Sequence, residues 1–80
     1  MNIRITNLSL NTIDAELRRL FSSYGEVNSA FIIRDKNNGR PNGSAVVDMV
    51  KDSDARLAIE SLNQTTMNGK TITVIELEEQ

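Results

Sequence analysis

The stretch Asp35-Lys36-Asn37-Asn38-Gly39 comes nearest to the spacing of a ligand-binding motif in this chain. Carboxylate and amide oxygens at alternate positions suit a hard cation such as calcium, which takes roughly six to eight oxygen ligands. The spacing then fails. Gly39 arrives one place early, and Val46 stands where a closing acidic ligand is required. A turn is the better reading, because Asp, Asn and Gly all favour turns. Asp14 with Glu16, and Asp52 with Asp54, have the composition of acid–base pairs, yet both sit where a helix would begin. Carboxylates there stabilise the positive end of the helix dipole. Gly39 and Gly43 are too sparse for a phosphate-binding loop. The chain has no histidine and no cysteine, so the commonest general base, the usual zinc ligands and any disulfide are missing. No enzyme activity, metal or small-molecule cofactor is expected.

The 80 residues are read as one domain, 1–80. A chain of this length buries only about 60–65% of its unfolded surface, so each core position matters. The apolar fraction, 39%, and the charged fraction, 25%, are those of an ordinary globular protein. No apolar run approaches the roughly 18–20 residues of a membrane span, and Met1 to Leu8 alternate like a strand rather than a secretion signal. The default compartment is the cytoplasm. Net charge is −2 and the pI about 5.0, which argues mildly against nucleic acid, whose binders usually carry a basic excess.

The elements follow from periodicity. Asn2 to Thr6 alternates, with Ile3 and Ile5 on one side and Arg4 and Thr6 on the other, as in a half-buried strand. Thr12 is placed to cap a helix whose apolar face is Ile13, Leu17, Leu20, Phe21 and Tyr24. Gly25 would end it in the left-handed conformation. A second strand, Val27 to Arg34, points Val27, Ala30 and Ile32 inward and Phe31 and Ile33 outward. After turn residues 35 to 43, a third strand from Ser44 to Met49 buries Ala45, Val47 and Met49. Asp52 or Ser53 can cap a second helix with Ala55, Ala58, Ile59 and Leu62 inward. Asn68-Gly69 reads as a tight hairpin turn, and Lys70 to Glu76 as the last strand, with Ile72 and Val74 inward. This order, strand-helix-strand-strand-helix-strand, gives an α+β, ferredoxin-like βαββαβ sandwich: two helices on one face of a four-stranded antiparallel sheet, the other face open.

That order, together with Ile3-Arg4-Ile5-Thr6-Asn7-Leu8 and Asn42-Gly43-Ser44-Ala45-Val46-Val47-Asp48-Met49, resembles the RNA recognition motif. Phe21-Ser22-Ser23-Tyr24-Gly25-Glu26-Val27 and Ala58-Ile59-Glu60-Ser61-Leu62-Asn63 add to the likeness, which runs over essentially the whole chain. The linker-free length is similar to small one-domain versions found in bacteria. In that family two or three aromatic rings on the central strands stack bases, and a basic residue beside them meets phosphate. Here the ring positions fall on Arg4, Ser44 and Val46, and the basic position on Asn42. Stacking is worth roughly 1–3 kcal/mol per base, so these departures remove on the order of 3–6 kcal/mol.

The resemblance implies single-stranded RNA as partner, bound weakly through Arg4, Asn7, Phe31, Asn42, Ser44 and Val46, with Arg34, Lys36 and Arg40 of the following loop as a clamp. Glu76, Glu78 and Glu79 would repel phosphate. Arg4 has two readings: contact with RNA, by stacking on a base or pairing with phosphate, and a cross-strand salt bridge to Asp48, of which the salt bridge is preferred. The open face supports another class of function, since Phe31, Ile33, Val46 and Ile75 form an apolar surface suited to a protein partner or self-association. It is also open to a plainer reading, a degenerate face partly covered by the C-terminal tail.

Overall fold

The computed structural model describes residues 1–77. Its elements are β1 (Asn2–Thr6), α1 (Asp14–Ser22), β2 (Val27–Arg34), β3 (Pro41–Met49), α2 (Asp52–Leu62), β4 (Thr66–Met67), β5 (Lys70–Thr71) and β6 (Thr73–Glu76). A four-stranded antiparallel sheet runs in the order β2-β3-β1-β6, and β4 and β5 pair as a separate small hairpin. This is the expected α+β arrangement. Leu17 and Phe21 of α1 and Ala55, Ala58 and Leu62 of α2 bury against Ile3, Ile5, Val47 and Val74 of the sheet. Leu20, Tyr24 and Ile59 pack partly against that core. Among the described residues no helix is long and apolar enough to cross a membrane.

The inward pattern of β2 depends on an irregularity. Pairing with β3 shifts between Val27 and Ser29, so that Val27, Ala30 and Ile32 all turn toward the helices although 27 and 30 differ in parity. A second shift lies between Ile32 and Arg34. The third strand starts at Pro41 rather than Ser44, because Pro41 still pairs with Arg34. Gly43, at φ +86°, makes this extension possible: its carbonyl accepts from Leu8 N–H at 2.9 Å, and a Cβ there would lie 3.3 Å from Leu8 O. The last strand divides. Ile72 exchanges backbone hydrogen bonds with Gln64 and Thr65, which separates β5 from β6. Asn68 and Gly69 turn the small hairpin with φ of 51° and 81°, the signs a tight two-residue turn demands.

Three expected helix ends are corrected. Ile13, not Thr12, precedes α1 in extended conformation; its N–H donates to Glu16 Oε1 at 3.2 Å. Ile13 is therefore off the buried helical face and exposed. Thr12 is buried instead, its hydroxyl accepting from Asn68 Nδ2. Gly25 is not left-handed; its requirement is space, since a Cβ would come within 2.6 Å of Asp54 Cβ. Neither Asp52 nor Ser53 caps α2, which starts at Asp52 after an uncapped Lys51.

Both outer strands have backbone amides held by side chains. Asp14 Oδ1 accepts from Ile32 N–H of β2 at 2.8 Å, and Asn63 Oδ1 accepts from Val74 N–H of β6 at 2.9 Å. Arg18 donates to the carbonyls of Val27 and Asn28 at 3.2 and 3.4 Å. Removing one such acceptor leaves a partly buried N–H unpaired, which costs about 1–3 kcal/mol. Asp14→Ala should therefore lower the urea unfolding midpoint by that equivalent with the slope unchanged; an unchanged midpoint would show that water replaces the carboxylate fully.

Candidate nucleic-acid interface

Alternation in β1 and β3 decides what the open face presents. Odd positions Ile3, Ile5, Ala45, Val47 and Met49 are fully buried, so Arg4, Thr6, Ser44, Val46 and Asp48 point away from the helices. The register aligns four of the outward residues in one row across the sheet. Phe31 lies opposite Val46, Val46 opposite Arg4, and Arg4 opposite Ile75. Phe31 and Ile75 are each 47% exposed. Ile33, half-buried, follows Phe31 along β2. Phe31 and Val46 thus lie together, while Arg4 separates them from Ile75; Ile33 falls at the second register shift of β2 and is not aligned with that row.

The rows on either side differ in chemistry. Toward the loop end, Thr6 pairs with Thr73, and the β1–β3 register carries Ser44 toward Thr6. At the opposite end, Asp48 lies across from Asn2 and Ser29. The Asp48 carboxylate is already occupied: Asn28 Nδ2 donates to one oxygen at 2.9 Å, and the Met1 amino group is 3.4 Å from the other. The salt bridge from Arg4 to Asp48 is accordingly not formed, because Asp48 is set diagonally to Arg4 and has nearer donors. Among the described residues no lysine or arginine side chain is ion-paired; both ion pairs belong to the Met1 amino group, with Asp48 and Asp52.

β3 is longer than β1, so the β2–β3 hairpin projects past the centre of the sheet and carries Arg34, Lys36 and Arg40, all exposed. Its turn is held by its own polar groups. Asp35 Oδ1 accepts from the amides of Asn37 at 2.7 Å and Asn38 at 3.3 Å, Asp35 O accepts from Gly39 N–H, and Asp35 N–H donates to Arg40 O. The Asp35 carboxylate is spent on the turn, in line with the turn reading over the calcium one. Arg34 Nη1 donates to Gly39 O at 3.2 Å, which sets its guanidinium beside the loop. Asn42 Oδ1 accepts from Ser44 N–H at 3.0 Å. Asn7, at φ 62°, donates from Nδ2 to Thr71 O at 2.7 Å and ties the end of β1 to β5. Arg4, Ser44, Val46 and Phe31 therefore share the sheet face; Asn7, Asn42 and the loop cations border its loop end. Thr6 belongs with them and was not singled out as a site residue from sequence, although alternation alone puts it outward. Glu78 and Glu79, expected near this face, lie outside the described residues.

A model of the RNA recognition motif matches residues 3–73 of this sequence. The chain belongs to the RNA recognition motif family. A curated relative, the Sex-lethal homolog of Musca domestica, is 40% identical over 68 residues, covering 85% of this chain and 21% of that protein. The chain thus spans about a fifth of that relative's length. The crystal structure of an RNA-binding protein, PG1, superposes with a TM-score of 0.95 at 38% identity, covering 100% of this chain and 96% of that one. A Sex-lethal protein–RNA complex superposes with a TM-score of 0.91 at 32% identity, covering 99% of this chain and 47% of that one.

In this RNA recognition motif, the β2–β3 turn is held by the carboxylate and peptide groups of Asp35. Asp35→Ala removes the acceptor for two turn amides. Hydrogen exchange at Asn37 and Asn38 should rise, while protection in β1 and β3 stays as it was. Loss of protection in β1 would mean that the turn supports the sheet itself.

Proposed function

We propose that this chain binds single-stranded RNA on the open sheet face, with the β2–β3 loop as a cationic arm, and that it binds weakly because its central strands carry no stacking rings. The observation that carries the reading is the outward row of Phe31, Val46 and Arg4, with a guanidinium that no described carboxylate engages. An uncommitted cation and an exposed ring are the two side-chain types that hold single strands, through phosphate attraction and base stacking. Likeness to a Sex-lethal protein solved with RNA supports the same assignment. The reading is of a binding module rather than an enzyme. Of the carboxylates with the composition of acid–base pairs, Asp14 accepts from Ile32 N–H, Glu16 from Ile13 N–H, and Asp52 lies 3.6 Å from the Met1 amino group.

The apolar row also bears on a protein-contact reading. Arg4 interrupts it between Val46 and Ile75, so the surface is divided rather than continuous. Burying that guanidinium against an apolar partner without a counter-charge would be costly. This favours a polyanion over a hydrophobic partner.

NMR titration of the labelled protein with a pool of short single-stranded RNAs tests the proposal. Shifts should gather on Arg4, Phe31, Ser44 and the Arg34–Arg40 loop, and the combined change Phe31→Ala with Arg4→Ala should abolish them in a folded protein. A spectrum unmoved at millimolar RNA would refute it. Adding a ring beside Phe31 should act in the opposite sense. Val46→Phe should tighten binding by about fivefold or more, taking stacking at roughly 1–3 kcal/mol per base. Unchanged affinity in that variant would place the bases away from the Phe31 side of the face.

A further inference from the structure

We infer that the centre of the open face holds the phosphodiester backbone of the bound strand rather than its bases, with Arg4 contacting a phosphate and the hydroxyls of Thr6 and Ser44 beside it. The inference rests on the RNA-binding reading above and assigns that site its orientation.

The central strands offer donors and no rings. Arg4 stands in β1, with Val46 and Ile75 on either side of it in the row; both are β-branched and give the guanidinium no flat neighbour. Ser44 and Thr6 occupy the next row toward the loop end, on strands about 4.8 Å apart, with Arg4 and Thr6 about 7 Å apart along β1. Neither hydroxyl makes a side-chain hydrogen bond among the described residues, whereas Thr73 in the same row already accepts from Gln64 Nε2 at 3.2 Å. A guanidinium with two free hydroxyls is the donor set that proteins use on phosphate oxygens. The row at the other end carries Asp48, whose carboxylate is held by Asn28 and the Met1 amino group and offers a phosphate no donor. Arg34, Lys36 and Arg40 lie at the loop end, where a second phosphate would be attracted. The backbone therefore crosses above Arg4 on the Thr6–Ser44 side. A base then turns outward to Phe31, whose exposed ring lies on an outer strand, two strands from Arg4.

Charge and planarity can be separated at Arg4. A phosphate contact needs the positive charge, which Lys supplies; stacking needs the guanidinium plane, which Lys lacks. The measurement is the affinity of wild type, Arg4→Lys and Arg4→Gln for a short oligouridylate over a range of salt, with folding checked by the amide spectrum. Arg4→Gln should weaken binding by about tenfold or more and reduce the magnitude of the salt slope by about 0.7, the increment for one phosphate on a single strand. Arg4→Lys should weaken it much less and keep the wild-type slope. If Lys and Gln are equally weak and the slope is unchanged, Arg4 stacks on a base, and the inference falls while RNA binding stands. If neither variant differs from wild type, Arg4 touches no RNA and the inference falls as well. Absence of binding by wild type would overturn both readings.

Discussion

A slip of one residue in β1 would put Arg4 under the helices and lift Ile3 and Ile5 into water. β1 is hydrogen-bonded on both sides, to β3 and β6, and its two isoleucines are wholly buried. Each fully buried isoleucine contributes roughly 1.5–3 kcal/mol relative to exposure, a large share of the net stability of so short a chain. Register in the centre of the sheet is therefore strongly set. The composition of the open face inherits that constraint, since the core fixes which side chains are left over to meet a ligand.

The division of labour between the two sheet faces follows from it. The helix-facing side keeps apolar residues of suitable size, and the fold survives the unusual composition of the opposite side. Arg4, Ser44 and Val46 stand where the family carries rings, outside the packed interior, so the core does not depend on them. Hydrogen bonding and charge stand in the centre of the face, and the exposed ring is on the outer strand at Phe31.

Much of this architecture was legible in the residues, for a physical reason. Alternation in β1 and the apolar spacing of Leu17, Leu20, Phe21 and Tyr24 are local patterns, and local patterns survive folding. The grouping of Phe31 with Val46 was equally readable once the strand order was taken from the family likeness. Where the reading went astray, a long-range contact had overruled local chemistry. Pro41, Asn42 and Gly43 look like turn residues, yet Arg34 pairs with Pro41 and Leu8 bonds to Gly43. Gly25 looks like a helix end, yet the side chain of Asp54, distant in sequence, is what demands the glycine. The pairing of Arg4 with Asp48 failed because cross-strand register and the competing amide of Asn28 cannot be seen in a single strand.

The side chains that hold the outer backbone groups of β2 and β6 bear on the protein's behaviour in a crowded solution. An outer strand with free amides and carbonyls is a template on which another chain can add a strand. Asp14 and Arg18 occupy three such groups on β2, and Asn63 occupies one on β6. Another copy approaching either edge meets a carboxylate, a guanidinium or an amide where it would need a bare peptide group. Fewer peptide groups are thereby left bare for strand addition along these edges, while the open face keeps its own side chains for a ligand. The same polar contacts that tie the helix ends to the sheet thus shorten the template its edges offer to another chain.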